Sequence, residues 1–280
     1  MINLRSVQFN YGKNQVYHDF SVHMFSGNIY GLLGKNGSGK STFLKLVAGL
    51  IFPQKGKIDV LHHIPKNRKV SFLSQVYLIP EEFNLPDVNT EKLLHYYAPF
   101  YPNFNSDEYL EFLDIFEVPS GPSFAEMSLG QKKKAVICFG LACNTPLLLM
   151  DEPTNGLDIT SKSQWKTILQ RLSYKDRCII ISSHQAKDLE GIINRVAIID
   201  QAGLLMDQSI VDIQQNLQFI LTENQDIIAQ SIYHEPHIGG GEYIVLQQSD
   251  NILYSKFPDL EMLYKAAIHC PEKLFPALKR

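Results

Sequence analysis

Hydrophobic positions in this chain come in short unbroken runs, separated by stretches with helical spacing. Residues 28–33, 147–150, 178–182 and 196–200 are apolar runs of strand length, too uniformly apolar to present one face to water. Between them, residues 41–50 place Phe43, Leu44, Val47 and Leu50 on one helical face. Residues 129–143, 159–172 and 186–193 also read as helices. Buried strands alternating with amphipathic helices predict an α/β fold, a largely parallel sheet with helices on both faces. Residues 3–9 and 16–23, around a turn at 11–15, predict an antiparallel β segment at the N-terminus. Residues 69–74 read as one more strand, stopping at Gln75.

The pattern changes over residues 76–127. Six prolines and many aromatics accompany two short helical patterns, 90–97 and 106–116. In the second, Asn105 followed by Glu108 marks a helix start, and Tyr109, Phe112, Leu113 and Phe116 line one face. A mostly helical insert over about 76–143 within a main domain 1–216 is the expected organisation. Beyond it, strands at 217–222 and 243–248 and a helix at 258–268 predict a small C-terminal α+β extension, 217–280.

Composition removes several classes of function. The net charge of −3 offers no basic field, so nucleic acid is not an expected partner. The longest apolar stretches, such as 135–143, fall short of the roughly 20 residues a membrane helix needs. No basic and apolar leader opens the chain, and Cys138, Cys143, Cys178 and Cys270 show no C-x-x-C spacing. Reduced thiols in a cytoplasmic protein are expected. His234-Glu235-Pro236-His237 lacks a third ligand, and Pro236 opposes helical spacing, so no metal site is expected there. Trp165 shares a face with Ile168, Leu169 and Leu172 and reads as core.

The chemistry lies in two segments. Gly34-Lys35-Asn36-Gly37-Ser38-Gly39-Lys40-Ser41-Thr42 matches G-x-x-x-x-G-K-[ST] between a strand and a helix, the P-loop of a nucleoside triphosphatase. Its glycines let backbone N–H groups converge on a phosphate, and the helix points its positive end at the same anion. Lys40 would neutralise phosphate oxygens and the Ser41 hydroxyl would ligate Mg²⁺. The strand 147–150 ends in Asp151 and Glu152, which strand alternation would aim in opposite directions. Asp151 would hold Mg²⁺ through water, and Glu152 would polarise the water that attacks the γ-phosphate.

Together with these two motifs, residues 1–216 resemble the ATPase subunits of ATP-binding-cassette (ABC) transporters. Four further features carry the likeness by order and spacing: Gln75, Met127-Ser128-Leu129-Gly130-Gln131, Asn155-Gly156-Leu157-Asp158 and His184. Tyr11, with Val16, lies where the family sets a ring against adenine. The resemblance implies ATP and Mg²⁺ as cofactors and a head-to-tail homodimer, or paired ATPase subunit, closing on nucleotide. Ser128, Gly130 and Gln131 would meet the γ-phosphate held by the partner's Gly34, Asn36, Gly37, Ser38, Gly39, Lys40, Ser41 and Thr42. Asp158 would cross to the partner's site, His184 would hold the γ-phosphate and water, and Gln75 would sense Mg²⁺. An integral-membrane permease on a separate chain would be the driven partner, with the ATPase peripheral on the inner face of the membrane. Tyr101-Pro102-Asn103-Phe104 and the lysines after Gln131 resemble a bacterial two-component exporter subgroup.

The family signature usually reads L-S-G-G-Q, so Met127 and Leu129 depart from it. Lys132, Lys133 and Lys134 are expected on a solvated helix face. A soluble ABC ATPase of translation or repair is the first competing class, and it usually carries two ATPase units. A nucleotide-gated sensor is the second, and Glu152 with His184 argues against it.

Overall fold

The computed structural model describes residues 1–172, 176–200, 203–248 and 257–278. In chain order the elements begin with β1 (Ile2–Tyr11), β2 (Asn14–Met24), β3 (Asn28–Leu33), α1 (Lys40–Val47), β4 (Lys55–Val60), α2 (Val70–Leu73) and β5 (Val76–Ile79). Next come α3 (Thr90–Tyr97), α4 (Ser106–Ile115), α5 (Leu129–Ala142), β6 (Leu147–Asp151), α6 (Ile159–Arg171) and β7 (Cys178–Ser183). Then follow α7 (Ala186–Leu189), β8 (Arg195–Asp200), β9 (Gly203–Ser209), α8 (Ile210–Asn216) and β10 (Leu217–Thr222). The last are α9 (Gln225–Ala229), β11 (Tyr233–Pro236), β12 (Glu242–Gln247), α10 (Leu260–His269) and α11 (Pro271–Ala277). These elements form two compact units: Met1–Ile29 with Gly39–Ser182, and Tyr30–Ser38 with Ser183–Arg280.

In the first unit, β5, β6 and β7 pair in parallel, with Val76 opposite Leu147 and Asp151 opposite Ser182. Every residue of β6 and β7 is buried, as their unbroken apolar runs require. Each fully buried Leu or Ile there contributes roughly 1.5–3 kcal/mol. A separate antiparallel sheet has the order β2-β1-β4. Strand β4 escapes prediction because three of its six residues are charged and only Ile58 and Val60 are buried. Trp165 is fully buried on α6, as its neighbours predict.

The segment around Gln75 corrects the sequence reading. Residues 70–73 form the short helix α2, and the strand is displaced to Val76–Ile79. Val-Ser-Phe-Leu and Val-Tyr-Leu-Ile are equally plausible strand sequences, and only pairing with β6 distinguishes them. The Leu147 amide donates to the Gln75 carbonyl, which fixes the register. The first four residues of the expected helical insert are therefore sheet.

Helices α3 to α5 do form. Asn105 caps α4 by accepting from the Asp107 and Glu108 amides. Tyr101 and Phe104 belong to an aromatic core with Tyr77, Tyr109 and Phe139, at centroid separations of 5.0 to 6.3 Å. Tyr96, Phe100 and Leu110 point outward instead.

In the second unit, β3 runs parallel to β8, and β9 returns antiparallel to β8. A small antiparallel sheet follows in the order β10-β12-β11. His234 and Glu235 of the His-Glu-Pro-His segment lie on β11. His234 pairs with Glu242, and Lys265 of α10 donates to Glu235 at 2.9 Å. Cys138, Cys143 and Cys178 are buried free thiols, and burial raises the pKa of each.

Candidate nucleotide site

The P-loop leaves β3 and enters α1. Gly39 has φ 108°, and a Cβ there would lie 2.7 Å from Tyr17 Oη, so both backbone and space demand glycine. The Tyr17 hydroxyl donates to the Gly39 carbonyl at 2.7 Å, anchoring the loop from β2. Burial pushes the Tyr17 phenol well above its ordinary range. Gly34 is constrained differently: a Cβ would come within 2.5 Å of the Ile199 carbonyl. Helix α1 begins at Lys40 with no side-chain cap and no acidic residue in its first turn. A helix start of this kind presents backbone amides and a positive end that suit an anion.

The acidic pair meets this helix. Lys40 Nζ stands 3.7 Å from Glu152 Oε1, with both side chains buried. Burial lowers the Lys40 pKa, while Glu152, Asp151 and Glu81 partly counter that. The Ser41 hydroxyl donates to Asp151 Oδ1 at 3.0 Å, and the Ser182 hydroxyl donates to the same oxygen at 2.6 Å. Asp151 ends the regular strand. Glu152 has φ 46°, so strand alternation does not set its direction. Its amide donates to Ser182 Oγ at 3.0 Å. Ser182 thus serves both carboxylate residues, a role with no signal in a serine at a strand end.

The three lysines after Gln131 are not one solvated face. Lys133 is only 5% exposed and donates to the carbonyls of Glu152 and Asn155. Lys134 donates to the Phe116 carbonyl at 3.2 Å. A helix entering a packed unit turns part of its polar stripe inward, which charge alone does not reveal.

Gln75 does not reach the acidic pair. It precedes β5, level with the start of β6, whereas Asp151 closes β6 at the opposite edge. Five strand residues of about 3.3 Å separate the two levels, roughly 16 Å. Its side-chain Nε2 donates to the Ser71 carbonyl instead. Glu81, just past the other end of β5, accepts from Asn155 Nδ2 at 2.8 Å and bears electrostatically on Lys40. The signal for Glu81 was the run Val76-Tyr77-Leu78-Ile79 before it, once that run is taken as the strand.

Ser128 caps α5. It accepts from the Gln131 amide at 3.2 Å while Gln131 Oε1 accepts from the Ser128 amide at 2.9 Å, a reciprocal capping box. Gln131 therefore shapes the helix start. Gly130 has only Ser128 Oγ near its added Cβ, and Leu129 is 73% exposed. Asp158 caps α6 by accepting from the Ser161 amide at 2.7 Å, which holds its pKa below the ordinary value. Tyr11, at the end of β1, is half exposed and meets Phe9 edge-on at 4.8 Å, with Val16 on the paired strand β2. In the second unit, His184 lines a cavity of about 670 Å³ with Gly34, Lys35 and Asn36.

Residues 17–155 match the family model described as ABC transporter. The ABC transporter ATP-binding protein YtrB of Bacillus subtilis is 33% identical over 217 residues, which cover 76% of this chain and 71% of that protein. The chain belongs to the ABC transporter ATP-binding family. The linearmycin resistance ATP-binding protein LnrL, also from Bacillus subtilis, is 26% identical over 212 residues, covering 73% and 68%. The fold is shared with the ATP-binding cassette MJ0796, solved as a dimer in a post-hydrolysis state with ADP and Pi. That likeness has a TM-score of 0.64 at 20% identity, over 75% of this chain and 98% of that one. As an ABC cassette, this chain binds ATP and hydrolyses it.

Proposed function

We propose that this cassette closes as a dimer around two ATP molecules and drives a separate membrane-spanning permease, working as an exporter. One observation carries the hydrolytic reading: Lys40 and Ser41, neighbours at the start of α1, meet Glu152 and Asp151 respectively. Each carboxylate thereby has its own task. Phosphate oxygens of ATP compete for Lys40, and Glu152 is then free to orient and deprotonate the attacking water. Ser41 and Asp151 would hold Mg²⁺, a hard cation suited to a hydroxyl, one carboxylate and phosphate oxygens. Bound there, Mg²⁺ would supply charge neutralisation for the phosphate oxygens. Tyr11 stacks on adenine, and His184 steadies the γ-phosphate.

Dimerisation is supported by two outward apolar residues beside the expected cross-site groups: Leu129 next to Ser128, and Ile159, 89% exposed, next to Asp158. A second copy would bury both. The exposed Tyr96, Phe100 and Leu110 of the insert offer the permease an aromatic docking face. No helix among the described residues is long and apolar enough to cross a membrane, so membrane attachment would come through that partner. A relative named for linearmycin resistance supports export. The boundary near residue 216 is supported by β10, which opens a new sheet at Leu217; we assign residues 217–280 as the extension.

Glu152→Gln tests the reading. ATP binding persists, turnover falls by about 10²–10⁴-fold, and ATP accumulates a dimer visible by size exclusion. Turnover at the wild-type rate removes Glu152 as the base.

A further inference from the structure

We propose that Lys133 is a positioning residue for hydrolysis: its ammonium holds the Glu152 backbone in place and joins it to the signature helix α5. The inference rests on Glu152 acting on the attacking water. Glu152 takes φ 46°, a conformation disfavoured for any residue with a Cβ, and Pro153 follows it. The residue before proline is ordinarily driven toward extended backbone. Such a conformation persists only where its surroundings over-determine it.

Two side chains do so from opposite sides of the residue. The Glu152 amide donates to Ser182 Oγ at 3.0 Å, and the Glu152 carbonyl accepts from Lys133 Nζ at 2.9 Å. The same Nζ donates at 2.7 Å to the carbonyl of Asn155, whose amide closes the turn onto the Glu152 carbonyl at 3.2 Å. One buried cation therefore clamps both ends of the turn between the acidic strand and the loop that carries Asp158. Burial lowers the Lys133 pKa, and Glu81, Glu152 and Asp151 partly oppose that shift.

Lys133 also lies five positions after Ser128, on the second turn of the helix that Ser128 caps. A displacement of the start of α5 on meeting a partner's phosphate moves Nζ, and with it the Glu152 carbonyl. The residue thereby connects the signature of one composite site to the base of the other in the same chain.

The test compares Lys133→Met, Lys133→Gln and Lys133→Arg in the full chain, measuring ATP affinity, KM, kcat and thermal midpoint. We expect Lys133→Met to keep ATP affinity and KM within about threefold while kcat falls by about 10²-fold, the scale of losing one preorganised donor. Lys133→Arg, which retains two donors and the charge, recovers most of that loss. A wild-type kcat in Lys133→Met overturns the proposal. So does a parallel loss of midpoint, ATP affinity and kcat in both Lys133→Met and Lys133→Gln, which marks a merely structural lysine. Glu152→Gln, assayed alongside, separates the two readings. An inactive Glu152→Gln with a normal Lys133→Met sinks the clamp alone, whereas an active Glu152→Gln sinks the base assignment beneath it.

Discussion

Gln75 and Glu81 flank one four-residue strand, and the direction of that strand decides which of them lies at the edge where Asp151 ends. Parallel pairing with β6 puts Glu81 at the edge where Asp151 ends and Gln75 at the other. Sequence patterning cannot choose, because both candidate strands are short and apolar. The expected consequence is that Gln75→Ala leaves ATP turnover within about twofold, as for a surface change of about 0.5 kcal/mol. Glu81→Ala, which unties Asn155 and removes a carboxylate acting on Lys40, lowers kcat by about tenfold or more. Steady-state phosphate release measures both. The reverse ranking would return the Mg²⁺-sensing role to Gln75. Residues legible without the structure were those whose chemistry is local: Gly34 to Thr42 in one loop, and Asp151 with Glu152 at one strand end. Ser182, Tyr17 and Lys133 were not legible, because their partners lie far away in sequence.

At the scale of elements, the capped start of α5 is compatible with two functions. The Ser128 hydroxyl accepts the Gln131 amide and still has its proton to donate, so capping and phosphate recognition are compatible. The insert divides its aromatics in a similar way. Tyr101, Phe104 and Tyr109 pack on Phe139 of α5, whereas Phe100 and Leu110 face outward. Replacing the outward pair, Phe100→Asp with Leu110→Asp, leaves ATPase activity of the isolated subunit near wild type. The same change removes the permease from a pull-down in mild detergent. Continued co-purification would move the docking face elsewhere.

At the scale of the whole molecule, the proposed reaction needs two copies. Ser128→Arg damages only the site whose P-loop is the partner's, and Glu152→Gln damages only the copy's own. Each variant alone is expected to be inactive. Mixed in equal amounts, half the dimers are hybrids with one intact composite site, and activity returns to about a quarter of wild type. Titrating one variant into the other while following phosphate release measures this. Failure to recover activity at any ratio contradicts a head-to-tail pair.

The sequence by itself determined the α/β class, the buried strands β3, β6, β7 and β8, and the two motifs proposed to bind and cleave a triphosphate. Those features are written in apolar runs and in residues adjacent along the chain, where local physics suffices. Tertiary structure decided which end of β5 carries the carboxylate that bears on Lys40, and it turned Lys133 inward to two carbonyls. It also set Glu152 in a left-handed conformation ahead of a proline. These outcomes depend on strand pairing and on the desolvation of a charge by distant neighbours, neither of which leaves a periodic trace in sequence.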